Sequence, residues 1–242
     1  MPGGPGRPGT TARPSPPRAR VPPVSVLARP LAKITGMATE PTIVATSGGH
    51  RTGGRTMVSF HALVHHAVDL SGAHGRRPRV MYVGTAIGDA EHFTARMHEA
   101  ARVAGFDLTP LHLFPMPNLD DVEGTVLEQD VVWVMGGSVA NLLAVWRVHG
   151  LDRIMRRAWE SGVVLSGVSA GSLCWFEGGT TDSYGPELRP LTDALGFLPY
   201  GNGVHYDSDP NHGGRPSHDD SIQIQAGSGI RIVGNTISGA YN

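Results

Sequence analysis

Three things are scarce in this sequence, and each scarcity removes a class of answer. There is one cysteine, Cys174. No intramolecular disulfide can form and no cysteine cluster can hold zinc; such usage fits a reducing cytoplasm. No apolar run is long enough to span a bilayer. The basic N-terminal stretch lacks the unbroken apolar core of a signal peptide, because Pro22, Pro23 and Pro30 interrupt the only candidate. Net charge is nearly absent, at -1. The molecule as a whole therefore gives no reason to expect nucleic acid or membrane as a partner.

The small total conceals an uneven distribution. Arg7, Arg13, Arg18, Arg20, Arg29 and Lys33 lie in residues 1–36, which hold no acid. The rest of the chain carries 14 of the 20 basic residues and all 21 acidic ones, a charge of -7. Residues 1–36 are rich in Pro, Gly, Arg, Thr and Ser and read as a disordered leader, with little apolar surface to offset chain entropy. Met37 looks like a natural start. A transit peptide is disfavoured because the amphipathic period is missing. Across the whole chain 40% of residues are hydrophobic, which is ordinary for a globular protein and excludes wholesale disorder.

From residue 37 the text alternates short apolar runs with helical periodicity. Strands are expected at Thr42–Thr46, Arg79–Val83, Leu108–Phe114, Asp130–Met135 and Val163–Ser166. Helices are expected over 57–70, 89–104, 139–148 and 151–161. This rhythm predicts an α/β fold with a mostly parallel sheet covered on both faces.

The fifth strand runs straight into Gly167-Val168-Ser169-Ala170-Gly171. A G-x-S-x-G turn after a strand forces the serine into a strained position with its hydroxyl exposed. The flanking glycines are required because larger side chains would collide in so tight a turn. Ser169 is thus the candidate nucleophile. The plain alternative is a structural corner between strand and helix. Gly136-Gly137 ends the fourth strand, where open α/β sheets place their sites. A backbone N–H of Gly137, beside that of Ala170, is a candidate oxyanion donor.

A nucleophilic serine needs a base, and the base an orienting acid. His205, after an expected loop over 198–203, is the best base. Asp182, in Thr180-Thr181-Asp182-Ser183, is the best acid, although it also reads as a turn or cap residue. Glu177 is the rival acid, expected on a helix two turns beyond Ser169. Asp207 is a weaker rival, only two residues from the histidine. The chain order Ser, Asp, His resembles α/β-hydrolases, but 36 residues between Ser169 and His205 are too few for that fold. Cys174 reads as a small buried filler. His212 and His218 have no ligand spacing to support a metal site.

These residues together resemble peptidase E, the α-aspartyl dipeptidase, and its relative cyanophycinase. The stretch from Gly167 to Ser183 carries most of the resemblance, with Val134–Ser138, Leu195–Pro199 and His205–Asp207 in matching order. The resemblance covers about residues 41–209. It implies a three-layer sandwich like that of the class I glutamine amidotransferases, with serine in place of cysteine. It implies a Ser169–His205 pair with an acid near Asp182, an oxyanion hole from Gly137 and Ala170, and no metal or cofactor. The substrate it implies is a small peptide, a dipeptide with N-terminal aspartate; the reading leaves room for a homodimer. An inactive remnant or binding protein on the same fold is the competing reading.

After Asp209 the text departs from the family. In Ser221–Gly239 isoleucines alternate with polar residues and glycines interrupt the runs. This resembles one or two rungs of a parallel β-helix, and the alternative is an ordinary β-hairpin. The expected layout is a leader at 1–36, a peptidase E-like domain at 37–209 and a discordant tail at 210–242, so that the C-terminal part of the fold is truncated or altered. A row suited to stacking on another rung is expected to pack poorly here, and deleting 211–242 is expected to change stability little.

Overall fold

In the computed structural model the chain separates into two units, Met1–Gly36 and Met37–Asn242. The structure describes residues 40–202 and the backbone of two further strands, 205–208 and 216–219. The leader and the remainder of the tail lie outside the described residues.

The second unit opens with β1 (Ile43–Thr46), followed by a small antiparallel hairpin, β2 (His50–Thr52) and β3 (Val58–Phe60), and helix α1 (Ala62–Leu70). Next come β4 (Arg79–Val83), a 3-10 turn at Thr85–Ile87, α2 (Glu91–Ala104), β5 (Asp107–Leu111) and α3 (Val122–Leu127). Then follow β6 (Val131–Val134), α4 (Val139–His149), α5 (Leu151–Glu160), β7 (Val164–Val168) and α6 (Ala170–Leu173). The last strands are β8 (Phe176–Thr181), β9 (Arg189–Leu191), β10 (Leu198–Asn202), β11 (His205–Ser208) and β12 (Pro216–Asp219).

Five strands form the central sheet in the order β1-β7-β6-β4-β5, and every neighbouring pair is parallel. Such a sheet needs apolar residues on both faces, because helices cover both. The strands supply them by simple alternation. Met81, Val83, Val132, Val134 and Leu165 face one layer, packed with α4, α5 and α6. Val80, Tyr82, Val131, Trp133 and Val164 face the other, packed with α1, α2 and the hairpin. The result is the expected α/β sandwich of three layers.

Several local expectations are corrected. The helix foreseen over 57–70 begins only at Ala62. Val58 and Phe60 are buried on either side of a less buried Ser59, a period of two that makes a strand. The strand foreseen to Phe114 stops at Leu111, because the N–H groups of Leu113 and Phe114 turn to a carboxylate instead. The loop foreseen at 198–203 contains strand β10, parallel to β8 in a three-stranded sheet β10-β8-β9. Beyond these corrections, the backbone of Pro216–Asp219 pairs antiparallel with β11, with His205 opposite Asp219. Among the described residues no helix is long and apolar enough to cross a membrane.

The carboxylate that stops β5 belongs to Asp89, which is only 5% exposed and has φ +52°. Its Oδ2 accepts from Leu113 N at 2.5 Å and Phe114 N at 3.1 Å. Its Oδ1 and the buried Tyr82 hydroxyl have no hydrogen-bond partner among the described residues. Burial pushes the Asp89 pKa up, and the two backbone donors and His112 only partly oppose that. A raised carboxyl pKa favours the fold most at acid pH. That contribution is lost as pH climbs from the ordinary aspartate range, near 4, through the folded-state value. Asp89→Asn keeps a carbonyl oxygen for both backbone donors and removes the charge. It is expected to stabilise the protein at neutral pH and to flatten the rise in stability towards acid. Asp89→Leu orphans two buried N–H groups, at about 1–3 kcal/mol each. Urea melts of both variants across pH check this, and an Asp89→Asn variant less stable than wild type at neutral pH would show that the carboxylate is held charged.

Candidate active site

β7 is buried at every residue and drives into the elbow. There the chain reverses at Ser169, with φ +52° and ψ -114°. A non-glycine residue in this region carries strain of about 1–3 kcal/mol, held only if its surroundings over-determine it. Here they do. Ser169 N–H donates to Thr46 O of β1 at 3.2 Å, and Ser169 O accepts from Ser172 N at 2.9 Å and Leu173 N at 2.8 Å. Thr46 Oγ1 also donates to Gly167 O at 2.9 Å, tying β1 to the strand end. Val168 and Ala170 are buried while Ser169 between them is exposed. The elbow therefore presents one side chain to solvent.

The expected need for glycine on both sides has a specific cause. A Cβ at Gly171 would stand 2.3 Å from Val134 O, and one at Gly167 would stand 2.1 Å from Gly171 O. The single turn of α6 lies directly on the ends of β6 and β7, leaving no room for a methyl group. Cys174, fully buried, packs behind this turn with Sγ 3.3 Å from Gly171 O. Burial pushes its thiol pKa up, so it is the inert filler expected and not a nucleophile.

The chain winds outward from β4 to β5 and then returns across β4 to β6 and β7. Such a reversal opens a crevice at the strands' C-terminal ends. Gly136 and Gly137 sit at this point. A Cβ at Gly136 would stand 3.1 Å from Ser169 Cβ, so this backbone runs against the elbow with no side chain between. Gly137 has φ +142°, and its missing Cβ would meet Ala86 O at 2.4 Å. Ser138 N–H, donating to the same Ala86 O at 2.9 Å, holds the connection in place.

The opposite wall comes from the end of β8 and the turn beyond it. Together the two walls enclose a cavity of about 440 Å³ lined by Ser169, Ala170, Gly137 and Asp182. Hydroxyl-bearing Ser138, Thr180, Thr181 and Ser183 and apolar Leu173 and Leu188 complete the lining. Four of the residues singled out from sequence thus share one cavity.

Glu177 does not join them. The helix expected to carry it is a single turn ending at Leu173, and Glu177 lies on β8, exposed. Gly178, Gly179 and two β-branched threonines are poor helix formers, so the chain extends at once. His205 opens β11 with its backbone paired to Asp219. The side chains of His205, Asp207 and His218, and the whole of His212, lie outside the described part of the structure. Among the described residues no group of three or more His, Cys, Asp or Glu is placed to hold a metal ion. Ser138, Leu173, Leu188 and Ser183 carry no signal of their own as site residues in the sequence beyond their nearness to Gly137, Ala170 and Asp182.

Comparison with known proteins adds a second line. Residues 43–236 match Peptidase family S51. The chain is 42% identical over 144 residues to the uncharacterized peptidase YgaJ of Bacillus subtilis, covering 59% of this chain and 60% of that protein. It is 31% identical over 150 residues to peptidase E of Streptomyces coelicolor, with 60% and 59% covered. It is 29% identical over 138 residues to a probable alpha-aspartyl dipeptidase of Drosophila melanogaster, with 56% and 55% covered. The chain thus spans about three-fifths of the length of the curated relatives it matches. The family match runs from the first strand of the sheet, through the elbow, and past residue 209. It takes in far more than half of the chain, and the protein belongs to peptidase family S51.

Proposed function

We propose that this protein is a serine-type peptidase that hydrolyses short peptides, with dipeptides bearing an N-terminal aspartate as its substrates. One observation carries the chemical part: Ser169 is exposed, held at φ +52°, and opens onto a cavity shared with Asp182, Gly137 and Ala170. In the proposed reaction Ser169 Oγ attacks the scissile carbonyl while the His205 imidazole takes its proton. The imidazole returns that proton to the leaving amine, and Asp182 orients the ring. The N–H groups of Gly137 and Ala170 receive the developing oxyanion. Water, activated by the same imidazole, then releases the acyl group and regenerates the serine. The scheme calls on side chains and backbone alone, in the reducing cytoplasm that the lone, buried Cys174 suits. The aspartyl preference rests on the relatives named peptidase E and alpha-aspartyl dipeptidase.

A fluorophosphonate probe tests the chemistry independently of the substrate. Covalent labelling is expected on the peptide containing Ser169. A folded sample that takes no label would overturn the peptidase reading and favour a non-catalytic binding protein on the same fold. Labelling without hydrolysis of any aspartyl dipeptide, but with hydrolysis of other dipeptides, would leave the nucleophile standing and overturn the substrate.

A further inference from the structure

We propose that Ser183 is a positioning residue that ties the Asp182 wall of the cavity to the wall carrying Gly137. The first turn of a helix leaves N–H groups without carbonyl partners, and a side chain at the N-cap serves one of them. In α4 the N-cap, Ser138, does this for Asn141 N at 3.2 Å. Val139 N is served from 44 residues further on, by Ser183 Oγ at 2.9 Å. The same oxygen stands 3.5 Å from Ala140 N. α4 starts just after Gly137, and Ser183 directly follows Asp182. One hydroxyl therefore spans the cavity from the acid's own turn to the oxyanion side.

Ser183 is itself fixed. Its Oγ accepts from α4 and lies 2.8 Å from Thr181 Oγ1, a contact in which either hydroxyl can donate. Thr181 Oγ1 also accepts from Ser183 N at 3.1 Å. Burial does little to hold this turn, because Asp182 and residues 184–190 are all exposed and burial resumes only at Leu191; the backbone pairs Thr181 with Arg189 and Gly185 N–H donates to Asp182 O at 3.0 Å. Polar contacts to buried Thr181 and to α4 do what apolar contacts do elsewhere in the fold.

The inference rests on the reading of Asp182 as the acid that orients His205. On that reading, Ser183→Ala lets Asp182 drift from the imidazole. kcat is expected to fall about tenfold to a hundredfold, as small misplacements at such sites do, with KM little changed. A carboxylate held farther away supports the imidazolium less, so the acid limb of the kcat/KM profile should move to lower pH. Ser183→Thr, which keeps the hydroxyl, should restore both. Thr181→Val, which preserves shape but removes Ser183's partner, should move the limb the same way by less; it also serves should Ser183→Ala not fold.

Hydrogen exchange read by mass spectrometry follows the bridge without any turnover. In Ser183→Ala, or Thr181→Val, peptides covering 138–141 and 180–186 should exchange faster while 164–168 does not. Unchanged exchange in those two peptides would overturn the assignment of Ser183, whatever the activity. So would a loss of kcat with the acid limb unmoved and no rescue by threonine, which would mark a helix cap alone. A wild-type protein that takes no fluorophosphonate would overturn the peptidase reading instead, and the exchange result would still decide the bridge.

Discussion

Ser169→Ala is expected to lower kcat/KM on an aspartyl dipeptide by about a thousandfold or more, the scale on which triad nucleophiles fail when removed. KM should change little, because the hydroxyl adds nothing to ground-state binding that the surrounding cavity does not. The loss should appear without unfolding, since Ser169 is exposed and its anchoring to Thr46, Ser172 and Leu173 is through its backbone. A second substitution separates chemistry from strain. Ser169→Gly removes the same hydroxyl but relieves the φ of +52°. It should be equally inactive yet more stable than Ser169→Ala by about 1 kcal/mol. Hydrolysis by Ser169→Ala at the wild-type rate would remove Ser169 from the mechanism. Equal stability of the two variants would argue against a strained elbow.

Gly171→Ala is expected to damage both fold and activity. The added carbon meets two backbone carbonyls, Val134 O at 2.3 Å and Met135 O at 2.9 Å. A flexible side chain could swing aside, but the end of β6, paired on both edges in the middle of the sheet, cannot. The turn of α6 must instead lift away, and Ser169 moves with it. Overpacking of this kind typically costs about 1–3 kcal/mol. Because the displaced element carries the nucleophile, labelling at Ser169 should slow as well. Gly54→Ala is the control: nothing lies within 4 Å of its added carbon, and a change within about 0.5 kcal/mol is expected there. Urea melts of the two variants decide the matter. If Gly171→Ala melts with wild type, the close approach of α6 to β6 is not as described.

Much of the sheet was legible because of what parallel strands require. A strand covered on both faces must be apolar at nearly every position, and Val80–Val83, Val131–Val134 and Val164–Leu165 read that way without any knowledge of their neighbours. The elbow was legible for a similar reason. Its glycines answer a local steric demand, and a local demand writes itself into adjacent positions. Short segments are less readable. Val58–Phe60 shares the periodicity of the helix that follows, and Glu177 is expected on a helix because the residues before it suit one, although it lies on β8.

The sequence by itself therefore determined the layered α/β architecture and the serine that the elbow exposes. Only the tertiary structure decided that Asp182, and not Glu177, lines a cavity with it. Asp182 and Glu177 lie five residues apart and are chemically alike. Asp182 directly follows the end of β8 and lines the cavity, whereas Glu177 is the second residue of that strand and is exposed. The contact from Ser183 to Val139 likewise joins residues 44 apart in the chain. A serine after an aspartate is unremarkable in sequence. It gains its position only when the turn after β8 is brought to the first turn of α4, and such a long-range contact leaves no local pattern to read.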